Sequence, residues 1–276
     1  MSYETYDELG ASDDECEQKT TYDELGSEDL GASDDECEQK TTRLSIPHPQ
    51  PSLHESSDDI SLQVNNIFQE QMDLVNDESL LEQEDAFITL AHLSRDFVAS
   101  ALTFGQIIIA ERFLPDHQKT IKPEPSFGGL AGGEKFLIKN AGILFKFPTD
   151  KNNIYGGEES AAMKAASREL TALVACWRLT HQIPDMALPL MTNIDYRGYR
   201  IVATTLLPIN ESTIKYGSAN AGKTVFKGLD PGVDFVAEHL ARMLNLREHI
   251  CGRDKSTTKS LSLPCDVELH RGTCEL

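Results

Sequence analysis

Residues 189–226 read PLMTNIDYRGYRIVATTLLPINESTIKYGSANAGKTVF. The stretch predicts three short strands joined by polar turns, ending in a glycine-bearing loop with a lysine in it. In the middle strand, Tyr199, Ile201, Ala203, Thr205 and Leu207 fall on one face, and Arg200, Val202, Thr204 and Leu206 on the other, because side chains alternate along extended backbone. Only Arg200 and Thr204 are polar on the second face, so both faces are expected to be covered and the strand to be central in its sheet. Asp195-Tyr196-Arg197-Gly198 predicts a turn in which Asp bonds its own backbone and Gly supplies positive φ. Pro208 stops the strand, having no N–H for a ladder.

Helical spacing appears on both sides of this stretch. Upstream, residues 158–181 place Ala166, Leu170, Leu173, Val174 and Trp177 on one side of a helix, with Trp177 as a core anchor. Downstream, residues 232–246 predict a helix with Phe235, Val236, Leu240, Met243 and Leu244 on its inner face. The end of the chain, SLSLPCDVELHRGTCEL, begins like a strand and stops. Further upstream, residues 85–114 predict a long helix closed by Pro115, and 60–83 a looser connecting helix. Between them and the 158–181 helix lies FGGLAGGEKFLIKNAGILFKF, with Gly128, Gly129, Gly132 and Gly133 directly before a strand at 135–139 and a second strand at 143–147. The pattern is α+β: a short antiparallel sheet with packed helices.

Two arrangements of residues point toward phosphate chemistry. Gly217 to Thr224 fits G-x-x-x-x-G-K-[ST], with Gly217, Gly222, Lys223 and Thr224 as candidate phosphate-binding residues. That loop works when a helix follows at once and turns its N-terminus to the phosphates. Here TVFKGLDPGVD follows, and Gly228 and Pro231 argue for a plain connection, with nucleotide binding as the alternative. The second arrangement is one of order. A glycine loop, a strand bearing Lys146, a helix bearing Glu169, antiparallel strands and then LLP resemble a protein-kinase small lobe. Lys146 is its candidate phosphate-pairing lysine and Glu169 the partner on the helix. An unrelated α+β domain with both charges on its surface stays open beside it. No H-R-D and no D-F-G follow, so phosphoryl transfer lacks its base and its metal ligand.

DYRGYR, LLPI, STIKYGS and AGKTV together resemble the clustered-mitochondria (Clu) domain family, with Asp195, Tyr196, Arg197, Gly198 and Tyr216 in its motifs. IYGGEESAAMKAASREL, FGGLAGGEKFLIKN and ILFKF fit the same family. The resemblance covers residues 86–276, and 84–276 is taken as the domain. In the family, HRGT runs on into an Asp-Gly-Arg turn and a strand ending Leu-Asp-Phe. Here His270-Arg271-Gly272-Thr273 meets Cys274-Glu275-Leu276, so a C-terminally truncated member is the expectation. The resemblance implies a non-enzymatic interaction or scaffold protein of the cytoplasm, connected with mitochondrial distribution. Its partners are expected to be proteins and, by the family's association, mRNAs for mitochondrial proteins. No cofactor and no metal are expected, and the sequence sets no oligomeric state.

Charge divides the chain sharply. Residues 1–85 hold 25 Asp and Glu against Lys19, Lys40 and Arg43, a net of −22, and the rest carries +2. The formal −20 therefore belongs to the N-terminal part. LGASDDECEQKTT stands at 9–21 and again at 30–42. Neither copy has an apolar face to bury, so residues 1–59 are expected to form a disordered acidic tail. Ser12 and Ser33, each before Asp-Asp-Glu, suit an acid-directed kinase, and a solubilising spacer is the other reading. The six cysteines show no C-x-x-C and no zinc spacing, which predicts reduced thiols. MSYETYDELG lacks the basic and apolar regions of a secretory leader. No uninterrupted apolar run approaches the roughly 20 residues of a membrane span, so no membrane insertion is expected.

Overall fold

The computed structural model describes residues 57–75, 80–124, 133–150, 153, 155–183, 186–219 and 222–272. The tail expected at 1–59 lies outside these residues except for the first turn of helix α1 (Ser57–Val75), and so does most of the glycine loop, Gly128, Gly129 and Gly132. Helix α2 (Leu80–Ala110) follows α1 and packs along it. Two strands, β1 (Glu134–Ile138) and β2 (Ile143–Phe147), lead into α3 (Glu159–Trp177). The decisive stretch then supplies β3 (Met191–Tyr196), β4 (Tyr199–Thr205), β5 (Ile214–Ala219) and β6 (Thr224–Phe226). Helix α4 (Pro231–Met243) and three short strands close the described chain: β7 (His249–Cys251), β8 (Lys259–Leu261) and β9 (Leu269–His270).

The four-stranded antiparallel sheet runs β1-β2-β4-β3, so β4 is central as its two apolar faces require. Every residue from Ile201 to Thr205 is buried. The turn between β3 and β4 holds two residues, Arg197 and Gly198, at φ 48° and 80°, the doubly left-handed conformation that matches strand twist in tight hairpins. The third strand of the stretch leaves this sheet. After Pro208, the side chain of Asn210 caps a short turn by accepting from Ser212 N at 2.8 Å, and β5 joins a second sheet ordered β6-β5-β9.

Two apolar clusters organise the packing. The first holds Phe68, Phe97, Ala101, Ile108, Phe136, Ile143, Phe145, Phe147, Ile194 and Ile201, from α1, α2 and one face of the four-stranded sheet. Burying one such phenylalanine stabilises the fold by about 2–3 kcal/mol. The second gathers Tyr216, Val225, Ala237, Leu240, Ala241, Cys251, Leu261 and Leu263 around α4 and β5. At the start of α4, Asp230 accepts from Gly232 N and Val233 N while Pro231 takes the first helical position, as helix N-termini favour.

Several expectations are corrected here. The 60–83 stretch, expected as one connecting helix, covers most of α1 and the first residues of α2, and Phe68, 1% exposed, belongs to the first cluster. Trp177 is 39% exposed and stacks flat on Phe68 at 5.7 Å instead of anchoring a core. Phe235, expected inside, is 62% exposed and stacks on His239. Ala237, Leu240 and Ala241 fill the inner face of α4 instead. In both helices the spacing marks an apolar side, but the buried positions are Ala162 and Ala166 on α3 and Ala237, Leu240 and Ala241 on α4. By length and composition α2 is long and apolar enough to cross a bilayer, although no uninterrupted apolar run marks it. Its Phe97, Ala101, Ile108 and Ile109 are nonetheless spent on the first cluster.

Candidate functional site

Lys146 and Glu169, paired from order alone, do meet. Lys146 alternates with Phe145 and Phe147 on β2, so it projects from the sheet face opposite the α1–α2 cluster. Helix α3 covers that face, and Lys146 Nζ donates to Glu169 Oε2 at 2.7 Å. Both side chains keep roughly a third of their surface in solvent, so the pair is worth about 0–1 kcal/mol. Lys135 stands directly across from Lys146 in the β1–β2 register. Burial, and then the neighbouring Lys146 charge, push the Lys135 ammonium below the usual lysine range. This ion pair is the one the small-lobe comparison implied. The glycine loop of that comparison is described only at Gly133, φ 74°.

The GSANAGKT loop has different geometry from the phosphate-binding pattern it matches. It is the hairpin between β5 and β6, with Ala219 opposite Thr224 and Gly217 opposite Phe226. Lys223 and Thr224 are exposed and lead into a strand. Among the described residues the next helix after them, α4, starts only at Pro231. Gly217 and Gly222 serve backbone geometry. Gly222 sits at φ 78° in the turn and its carbonyl accepts from Arg253 N at 2.9 Å. Gly217 sits at φ 112° against the 267 segment. Lys223→Ala should therefore leave stability within about 0.5 kcal/mol of the parent. Mg-ATP and Mg-GTP should leave the melting temperature of both unchanged in a thermal melt. A nucleotide-induced rise that Lys223→Ala removes would restore the phosphate loop.

The remaining motif residues build the fold. Asp195 does not bond its own backbone as expected. Its carboxylate takes two bonds from Arg200, its cross-strand partner, at 2.6 and 2.5 Å, and the guanidinium holds Asp195 below the usual carboxylate range. Arg197 lies over the ring of Tyr196. Tyr216 is wholly buried, and its hydroxyl accepts from Ser262 N at 2.6 Å and Leu263 N at 3.3 Å. His270 and Arg271 are anchored too. His270 Nδ1 lies 2.8 Å from Thr213 Oγ1, and Arg271 pairs with Asp230 at the start of α4.

One cluster escaped the sequence reading. Arg112, just beyond α2, lies over the rings of Tyr199, Phe147 and Phe113, with 4.3 Å to the Tyr199 centroid, and pairs with Glu159 at the start of α3. Stacked guanidinium groups of this kind contribute up to about 2 kcal/mol when desolvated. The only local signal was an Arg-Phe dipeptide after a long apolar helix.

Comparison with known proteins gives one finding. No curated protein and no solved structure matches the chain. A family model, described as clustered mitochondria, matches residues 64–275. That span begins inside α1 and takes in the four-stranded sheet, the β6-β5-β9 sheet and the β7–β8 pair, with the Lys146–Glu169 pair, the DYRG hairpin and Tyr216. The chain belongs to the clustered mitochondria (CLU) family.

Proposed function

We propose that the chain is a non-enzymatic interaction protein that acts in the cytoplasm on the distribution of mitochondria. The observation that carries this reading is the family match over 64–275. The site geometry supports the non-enzymatic part. The one phosphate-loop pattern is a hairpin turn, and the sequence offers neither H-R-D nor D-F-G beside the Lys146–Glu169 pair. Contact with mRNAs for mitochondrial proteins belongs to the same proposal through the family alone.

The test is imaging. Removing the chain from its host cells should gather fluorescently marked mitochondria into clusters, and returning the parent or Lys223→Ala should disperse them again. RNA cross-linked to the returned chain should be enriched in messages for mitochondrial proteins. A mitochondrial distribution unchanged by removal would overturn the main reading, and the absence of such enrichment would remove the mRNA part.

A further inference from the structure

Helix α3 uses its two acids inside the fold: Glu159 pairs with Arg112 and Glu169 with Lys146. Its outer side carries three cations and no acid. Lys164, Arg168, Thr171, Ala175 and Arg178 follow one another at spacings of four, three, four and three, which holds them on one side of a helix. Lys164, Arg168 and Arg178 are exposed. Among the described residues no carboxylate pairs with any of the three. From Lys164 to Arg178 the helix rises about 21 Å.

Beside this row lies a groove of about 570 Å³ between α3 and β3, with Leu170, Val174 and Ala175 on the helix side and Asn193 on the strand. Val174 is nearly half exposed although it is apolar. Ser167 and Thr171 donate their hydroxyls to carbonyls of α3 itself, so they make no demand on a ligand. Asn193 is different: its Oδ1 is shut off from water and has no donor among the described residues. Leaving such an acceptor unmet costs about 1–3 kcal/mol. Strand β3 is also an edge, paired only with β4.

We propose that this groove docks an extended, acidic peptide segment of a partner protein. Its carboxylates lie on Lys164, Arg168 and Arg178, and its apolar side chains on Leu170 and Val174. Charge selects an anionic occupant, since three unpaired surface cations do little for the fold itself. None of the residues lining the groove carries a ring on which a base could stack. About six extended residues span the row of cations, the scale of strand-like peptide recognition beside a free edge. This deepens the interaction reading by naming where a partner sits. It is tested by binding in vitro, so its failure leaves the imaging result standing.

The experiment is fluorescence anisotropy on the full chain with three labelled probes. One is a peptide alternating leucine with aspartate, the second replaces each aspartate by serine, and the third is an oligouridylate of equal length. The acidic peptide should bind saturably and the serine peptide should not. Combined Lys164→Gln, Arg168→Gln and Arg178→Gln should weaken binding by about ten-fold or more, as should Val174→Asp alone. Thermal melts should show both variants folded, since all four positions are exposed. Higher salt should weaken the parent complex and leave little difference between parent and charge variant. Failure of the acidic peptide to bind would overturn the proposal, and so would binding undiminished in either variant. Oligouridylate binding in place of the acidic peptide would assign the face to nucleic acid instead.

Discussion

Gly217→Ala should destabilise the protein by about 4 kcal/mol, a large share of the total stability of a domain. A Cβ built on the existing backbone at 217 lies 2.0 Å from Val267 O, with further backbone atoms of 267 and 268 at about 3 Å. The residue also holds φ 112°, which costs an alanine about 1–3 kcal/mol before any contact is considered. Relieving the overlap means moving β5 away from the 267 segment, at a similar further cost. Gly222 is the control within the same loop. It holds φ 78° but has nothing within 4 Å of the added carbon, so Gly222→Ala should cost only about 1 kcal/mol of backbone strain. Urea melts of the parent and both variants measure the difference. Equal losses would mean that the 267 segment gives way freely.

Tyr216 carries the second large effect. Tyr216→Ala should cost about 4 kcal/mol, because the ring is wholly buried among the residues of the second cluster and its removal leaves a cavity. Tyr216→Phe isolates the hydroxyl. That oxygen accepts from Ser262 N and Leu263 N, and losing it strands two backbone donors, for about 2 kcal/mol. The same urea melts read both variants. A phenylalanine variant as stable as the parent would show that the ring alone matters.

These two residues also mark how far the sequence could be read. The alternation of Tyr199 to Leu207 placed β4 centrally, because two apolar faces leave a strand no other position. The pairing of Lys146 with Glu169 was legible from element order. Beyond that, legibility fails wherever a role depends on chain from elsewhere. Gly217 and Gly222 are equivalent in the G-x-x-x-x-G-K-[ST] pattern, and only the approach of Val267 distinguishes them. Asp195 read as a turn residue because its arginine partner lies across the hairpin. Arg112 was invisible because the rings around it come from α2's end, β2 and β4. Trp177 and Phe235 show a different limit. Periodicity identifies an apolar side of a helix, but it does not say how much of that side a neighbour will cover.

The two apolar clusters have a consequence for synthesis. The first is assembled from residues between Phe68 and Ala203, whereas the second draws on Ile183 to Leu263, with Leu269 packed against it. A ribosome delivers the chain from its N-terminus. The four-stranded sheet and its helices can therefore close soon after β4 leaves the exit tunnel, while the second cluster must wait for the last strand. A translational stop after about residue 206 would leave a product with its first cluster complete and its second one absent.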